Sequence, residues 1–209
     1  MADNYLEKRE QELKEGKVKV VRNHPSLESL LKRNRSYRGY DRSREVTVQD
    51  LKQLVQVTTW VASGKNAQTL RYRLVTGADA ALIHPLVKLG TALPEEHLPH
   101  PGEEPSAYIV VMSNVEESRV VDMDLGIAAQ SMLLKATEMG LGGIVILNFN
   151  PSAVQHALEL PLKPLAVIGI GKPKESVFLV PAASTDSLTY YRKEGVHYVP
   201  KLKVDDLVI

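Results

Sequence analysis

Residues 122–150 read DMDLGIAAQSMLLKATEMGLGGIVILNFN, and the parsing of this stretch decides the fold. Leu125, Ala128, Ala129, Met132, Leu133 and Ala136 recur at the three-and-four spacing of one helical face, while Ile127 and Leu134 are apolar on another side. Such a helix has little room for a wet face. Gly126, Ala128, Ala129 and Ser131 are small enough to let a second backbone come close, so two roles stay open: an ordinary core helix, or the centre of a subunit interface. Asp122 or Asp124 is placed to cap the start, where a carboxylate accepts from unpaired amides and faces the positive end of the helix dipole. Gly140 supplies the stop, because the residue past a helix end must tolerate positive φ. The apolar run at 144–147 is too short for a helix and reads as an interior strand.

Working outward, residues 107–112 form a second continuous apolar strand and residues 165–170 a third, ended by Gly171, Lys172 and Pro173. Asn150 and Pro151 make a cap and first turn for a short helix through 158. Residues 71–76 alternate as a strand should, with Gly77 closing it, and 78–90 read as helix. Four prolines at 94, 99, 101 and 105, interspersed with glutamates, predict an exposed loop over 91–105. His97 and His100 lie in that loop beside acids, but no helix fixes their spacing through Pro99, so no metal site is expected. Thr47 with Asp50 resembles a capping box for an amphipathic helix running to about Ala62. Pro25 and Ser26 start another that places Leu27, Leu30 and Leu31 on one helical face. Further out, 3–15 suggests a peripheral surface helix and 17–21 a short strand or linker. The tail from Tyr190 has no evident core of its own and is expected to lie across another surface, such as that of a second subunit.

At 209 residues the chain is long enough for a sizeable core, and it is divided here into a peripheral segment, 1–24, and one α+β domain, 25–209. Cysteine is absent, which excludes disulfides, thiolate nucleophiles and cysteine-ligated metals. No apolar run approaches the roughly 20 residues that span a bilayer, and the first sixteen residues are too charged for a signal peptide. A cytoplasmic protein without membrane contact is expected. A net charge of +1, with two Phe and one Trp, offers little steering or stacking for nucleic acid. Locally, Lys32, Arg33, Arg35, Arg38, Arg42 and Arg44 crowd into thirteen residues, which suits either an anionic ligand or a solvated turn. Residues 62–68, ASGKNAQ, present backbone and amide hydrogen-bonding groups in a short loop suited to a polar heterocycle. Phosphate-loop and dinucleotide fingerprints are missing, as are GxSxG, HExxH and a carboxylate pair.

Four pieces in order, NRSYRGYD at 34–41, ASGKNAQ at 62–68, DLGIAAQSMLLKATEMGLG at 124–142 and VPKLK at 199–203, resemble the FMN-dependent nitroreductase family. The resemblance implies a central, mostly antiparallel sheet flanked by helices in an intertwined homodimer, with FMN at the subunit interface and the long helix within it. It implies that Arg35, Ser36 and Arg38 contact the flavin, and that Ala62, Ser63, Gly64, Asn66 and Gln68 reach it from the other subunit. Ile146, Leu147 and Asn148 would lie by the ring, and Lys201 and Lys203 would reach the phosphate. It further implies NAD(P)H as co-substrate and a nitroaromatic or quinone-type acceptor reduced by a ping-pong mechanism. The chemistry would sit at flavin N5, so no residue is assigned as acid, base or nucleophile. The alternatives are another flavin enzyme of the superfamily, such as a dehalogenase or oxygen-using enzyme, or a non-catalytic flavin-binding protein. Asn34 stands where many members have a further Arg, Leu147 where Glu is frequent, and 77–107 match no pattern.

Overall fold

The structure, a computed structural model, describes residues 10–12, 14–15 and 25–209. Residues 10–12 and 14 are helical and 15 is a turn; residues 1–9, 13 and 16–24, with the strand or linker expected at 17–21, lie outside the described residues.

Strand β5 (Pro164–Pro173) is the hub of the central sheet. It pairs with β3 (Ala107–Ser113), β4 (Gly142–Ile146) and the two-residue β1 (Tyr40–Asp41), and β2 (Leu70–Val75) adds outside β3. Every one of these pairings is antiparallel. Successive side chains of a strand face opposite sides, so β3 feeds two cores. Ala107, Ile109 and Val111 pack with Leu51 and Leu54 of α2 (Val48–Gln56) and with Ala128, Ala129, Met132, Leu133 and Ala136 of α4 (Arg119–Glu138). Tyr108, Val110 and Met112 pack on the other side with Ala80 and Ile83 of α3 (Gly77–Ile83) and Val154 of α5 (Pro151–Ala157). The fold is therefore α+β, a sheet with helices on both faces, and each large apolar side chain removed from water contributes roughly 1.5–3 kcal/mol.

The caps expected at Ser26, Thr47/Asp50 and Asn150 are all present. Ser26 accepts from Ser29 at the start of α1 (Leu27–Arg33), Thr47 and Asp50 form a reciprocal capping box, and Asn150 accepts from Ala153. Elsewhere the structure corrects the reading. Helix α4 starts earlier than Asp122 and is capped by Ser118, whose hydroxyl accepts from Val121 N–H. Asp124 thus lies inside the helix and has another task, described below. The strand read at 144–147 is Gly142–Ile146, leaving Leu147 beyond its end. Helix α2 stops at Gln56 and passes into a 3₁₀ turn, Val57–Thr59, instead of running to Ala62. The helix read at 78–90 stops at Ile83, and Val87 bridges to Phe149. Gly171, Lys172 and Pro173 do not end β5, because β1 supplies partners for Lys172 and Pro173.

The proline-rich loop is exposed over most of 91–105, as read, with Leu93, Leu98 and Pro105 as its buried positions. The tail builds a second sheet: β6 (Val177–Ala182) runs parallel to β8 (Val196–Leu202), and β7 (Tyr191–Lys193) pairs with β8 through a tight hairpin. Glu194 and Gly195 both take positive φ there, the geometry of a two-residue turn matched to strand twist. Phe178, Tyr198 and Tyr191 stack in one row across the three strands, which gives this small sheet cross-strand support.

Candidate functional site

The segment after α1 is held along the free edge of β4. Ser36 bridges Gly143, and Tyr37 N–H donates to the Gly143 carbonyl at 3.3 Å. A side chain at position 143 would collide with the Gly169 carbonyl and the Leu133 side chain, so only glycine lets β4 pack this closely. The outcome is a cavity of about 330 Å³ lined by residues of the 34–38 segment, of α4 and of the small sheet. Arg35, Ser36, Arg38 and Lys201 all line it, as the basic run and the far lysine were expected to. Asn34, Gln130, Tyr190 and His197 line it too.

The electrostatics are one-sided. Arg38 is only 8% exposed, yet among the described residues no carboxylate pairs with its guanidinium. Its Nη1 donates to the Ser36 carbonyl at 2.8 Å, while its Nε is buried without a partner. The nearby acid, Glu175, is committed elsewhere: it accepts from the Arg38 and Gly39 backbone amides and pairs with Arg192. Arg35 donates to the Leu31 carbonyl, and its Nε is also buried and unpartnered. Burial pulls the Arg35 guanidinium below its ordinary pKa. Burying cations without counter-ions is costly. An anion entering the cavity would offset that cost, and a phosphate is well matched to forked guanidinium donors.

The loop 62–68 lines a separate cavity of about 280 Å³ with Ala62, Ser63 and Gln68. Ser63 Oγ donates to Asp124 Oδ2 at 2.6 Å, and Gly64 N–H donates to Asp124 Oδ1 at 2.9 Å. Ser63 Oγ also accepts from Gln68 N–H at 3.0 Å. The buried carboxylate of α4 therefore ties the loop down. Lys65, Asn66 and Gln68 take positive φ, strain the loop retains because this anchor holds it. The two cavities have no lining residue in common, so one chain does not bring 62–68 onto the Arg35/Arg38 cavity. Nor do Ile146, Leu147 and Asn148 line either: Ile146 is buried, Leu147 is 68% exposed, and the Asn148 carbonyl accepts from Lys88. Lys203 is exposed at the start of a 3₁₀ turn and lines neither cavity.

Sequence reasoning missed Gln130, Tyr190, His197 and the anchoring role of Asp124. One signal was readable. In an extended HYVPK, the period of two puts His197, Val199 and Lys201 on the same face, so naming Lys201 implied the other two.

The fold and the basic cavity define a nitroreductase-type α+β protein. A profile of the nitroreductase family matches residues 31–172, and the chain belongs to that family. Among solved structures it is similar to a nitroreductase family protein from Streptococcus pneumoniae, with TM-score 0.60, 18% identity, and 77% of this chain and 96% of that one covered. A Clostridium novyi family member gives TM-score 0.59 at 21% identity, covering 72% and 86%. An Exiguobacterium sibiricum structure in complex with FMN gives 0.58 at 18%, covering 72% and 90%. No curated protein matches the sequence. The family match stops at residue 172, so β6, β7 and β8 lie beyond it.

Proposed function

We propose that the protein is a homodimeric FMN-dependent oxidoreductase that uses NAD(P)H to reduce nitroaromatic or quinone-type acceptors by a ping-pong mechanism. The observation that carries this reading is the buried Arg38 guanidinium without a carboxylate, in one cavity with Arg35 and Lys201. The residues fit the phosphate end of FMN: among the described residues, two arginine Nε atoms are buried without partners and no acid lines the cavity. Arg35, Arg38 and Lys201 would hold the phosphate by charge-assisted bonds, and Ser36 would add a neutral donor. Bound FMN would supply the hydride chemistry at its ring nitrogen N5.

At about 330 Å³ the cavity lies at the lower end of the roughly 300–1,000 Å³ usual for organic ligands. It suits a phosphate and sugar chain better than a whole flavin. A second protomer presenting loop 62–68 would complete the site, which agrees with the separation of the two cavities within one chain. The apolar side chains of Val120, Met123 and Ile127 support the same reading, since they stand exposed along α4 at helical spacing.

The test is an absorbance spectrum of the purified protein before and after FMN addition, followed by anaerobic addition of NADH or NADPH. A flavin spectrum that bleaches with a nicotinamide and recovers on adding a nitroaromatic or quinone is expected. A protein that stays colourless after FMN is added would remove the proposal.

A further inference from the structure

His197 belongs to β8, outside the family match, and is 1% exposed. Its Nε2 lies 3.4 Å from Arg38 Nη1. Arginine nitrogens only donate, so Nε2 is the acceptor and the ring is neutral, with its proton on Nδ1. Arg38 also lies over Tyr190: the guanidinium carbon stands 4.5 Å from the ring centroid, and the Tyr190 and His197 rings are 5.0 Å apart. The backbone beneath is fixed as well, because Glu175 receives the Arg38 and Gly39 amides while pairing with Arg192 of β7. Among the described residues, the groups that hold this arginine side chain are the Ser36 carbonyl and, from the tail, His197 and Tyr190.

We infer that His197, together with Tyr190, is a positioning residue that aims Arg38 at the phosphate of the bound flavin nucleotide. The small C-terminal sheet is thus a clamp on the anion grip of the family domain. This rests on the FMN reading above. The charged and titratable groups facing His197 are Arg38 from the 34–38 segment, Tyr190, and Arg192 from β7. Burial and the two arginines lower its pKa to about 4, which keeps the acceptor nitrogen free at neutral pH. A protonated ring there would set two cations against each other and release Arg38.

The experiment compares wild type, H197F and H197Q for binding of FMN and of riboflavin, which lacks the phosphate, by flavin fluorescence quenching at pH 7.5. Phe keeps the ring and loses the acceptor; Gln places an amide oxygen near the position of Nε2. H197F is expected to bind FMN about tenfold more weakly, the scale of one lost charge-assisted contact, with riboflavin affinity changed less than about twofold. H197Q is expected to recover most of the loss. Equal FMN affinity in H197F, a parallel loss of both flavins, or failure of Gln to restore binding would each overturn the inference. If wild type binds no FMN, the functional reading fails separately. Stabilisation by inorganic phosphate then tests the clamp: wild type and H197Q should gain melting temperature and H197F should not, and the same gain in all three would overturn it.

Discussion

Arg38 and Asp124 are both buried and charged, and their surroundings set them apart. Asp124 has its charge answered inside the chain by Ser63 and Gly64, whereas among the described residues Arg38 has only a carbonyl, a histidine nitrogen and a tyrosine face. Removing a partner of Asp124 therefore leaves an unsatisfied buried acceptor. S63A should cost about 1–3 kcal/mol in urea unfolding, with most of the effect absent when introduced into D124N. Removing Arg38 deletes a charge with no counter-ion. R38A should leave ligand-free stability within about 1 kcal/mol of wild type and weaken FMN binding at least tenfold, and R35A and K201A should act in the same direction. His197 gives a pH test at the same scale. Its pKa is near 6.5 in the unfolded chain and about 4 in the fold, so between those values the unfolded state binds the extra proton. Stability is complete above that window and falls as pH drops through it, by on the order of 2–3 kcal/mol. Denaturant midpoints at pH 7.5 and 4.5 should show H197Q losing correspondingly less than wild type.

Among the elements, most helix starts set by a local bond were legible in the sequence, the exception being Ser118 with Val121, passed over for the acids that follow. Thr47 with Asp50, Ser26 with Ser29, and Asn150 with Ala153 involve residues three apart, and nothing distant overrides them. What was not legible depends on partners far along the chain. Residues 171–173 look like a strand terminator, yet β1 arrives from residues 40–41 and prolongs the ladder. Leu93 and Leu98 are buried positions within a proline-rich run that is otherwise largely exposed, and nothing local singles them out. The tail was opaque because β6, β7 and β8 find their partners only in one another. The basic cavity was largely anticipated through Arg35, Ser36, Arg38 and Lys201; His197 was implied by the strand period once Lys201 was named, while Tyr190 became visible only once that sheet was placed. Gly143 connects the elements, since a side chain there would meet the Gly169 carbonyl of β5 and Leu133 of α4. G143A should destabilise the fold by about 2 kcal/mol or more through overpacking, and its thermal unfolding should respond less to added phosphate than that of wild type.

Across the whole molecule, the exposed apolar side chains among the described residues include a set on α4 and one beside loop 62–68. Met123 is 59% exposed on α4, and Trp60 is 73% exposed just before loop 62–68. We expect light scattering to report a dimer, and M123E, by placing charge in that contact, to shift the population to monomer and lower FMN occupancy together. No helix among the described residues is long and apolar enough to cross a membrane. The dependence of the central sheet on β5 also dictates an order of events during synthesis. Strands β3 and β4 pair with β5 and not with each other, so a nascent chain that has not yet released residues 164–173 holds two apolar strands with their shared edge unmet. Ribosome-bound fragments ending before residue 164 should therefore stay sensitive to protease and recruit chaperones, with protection appearing abruptly once that segment clears the exit tunnel.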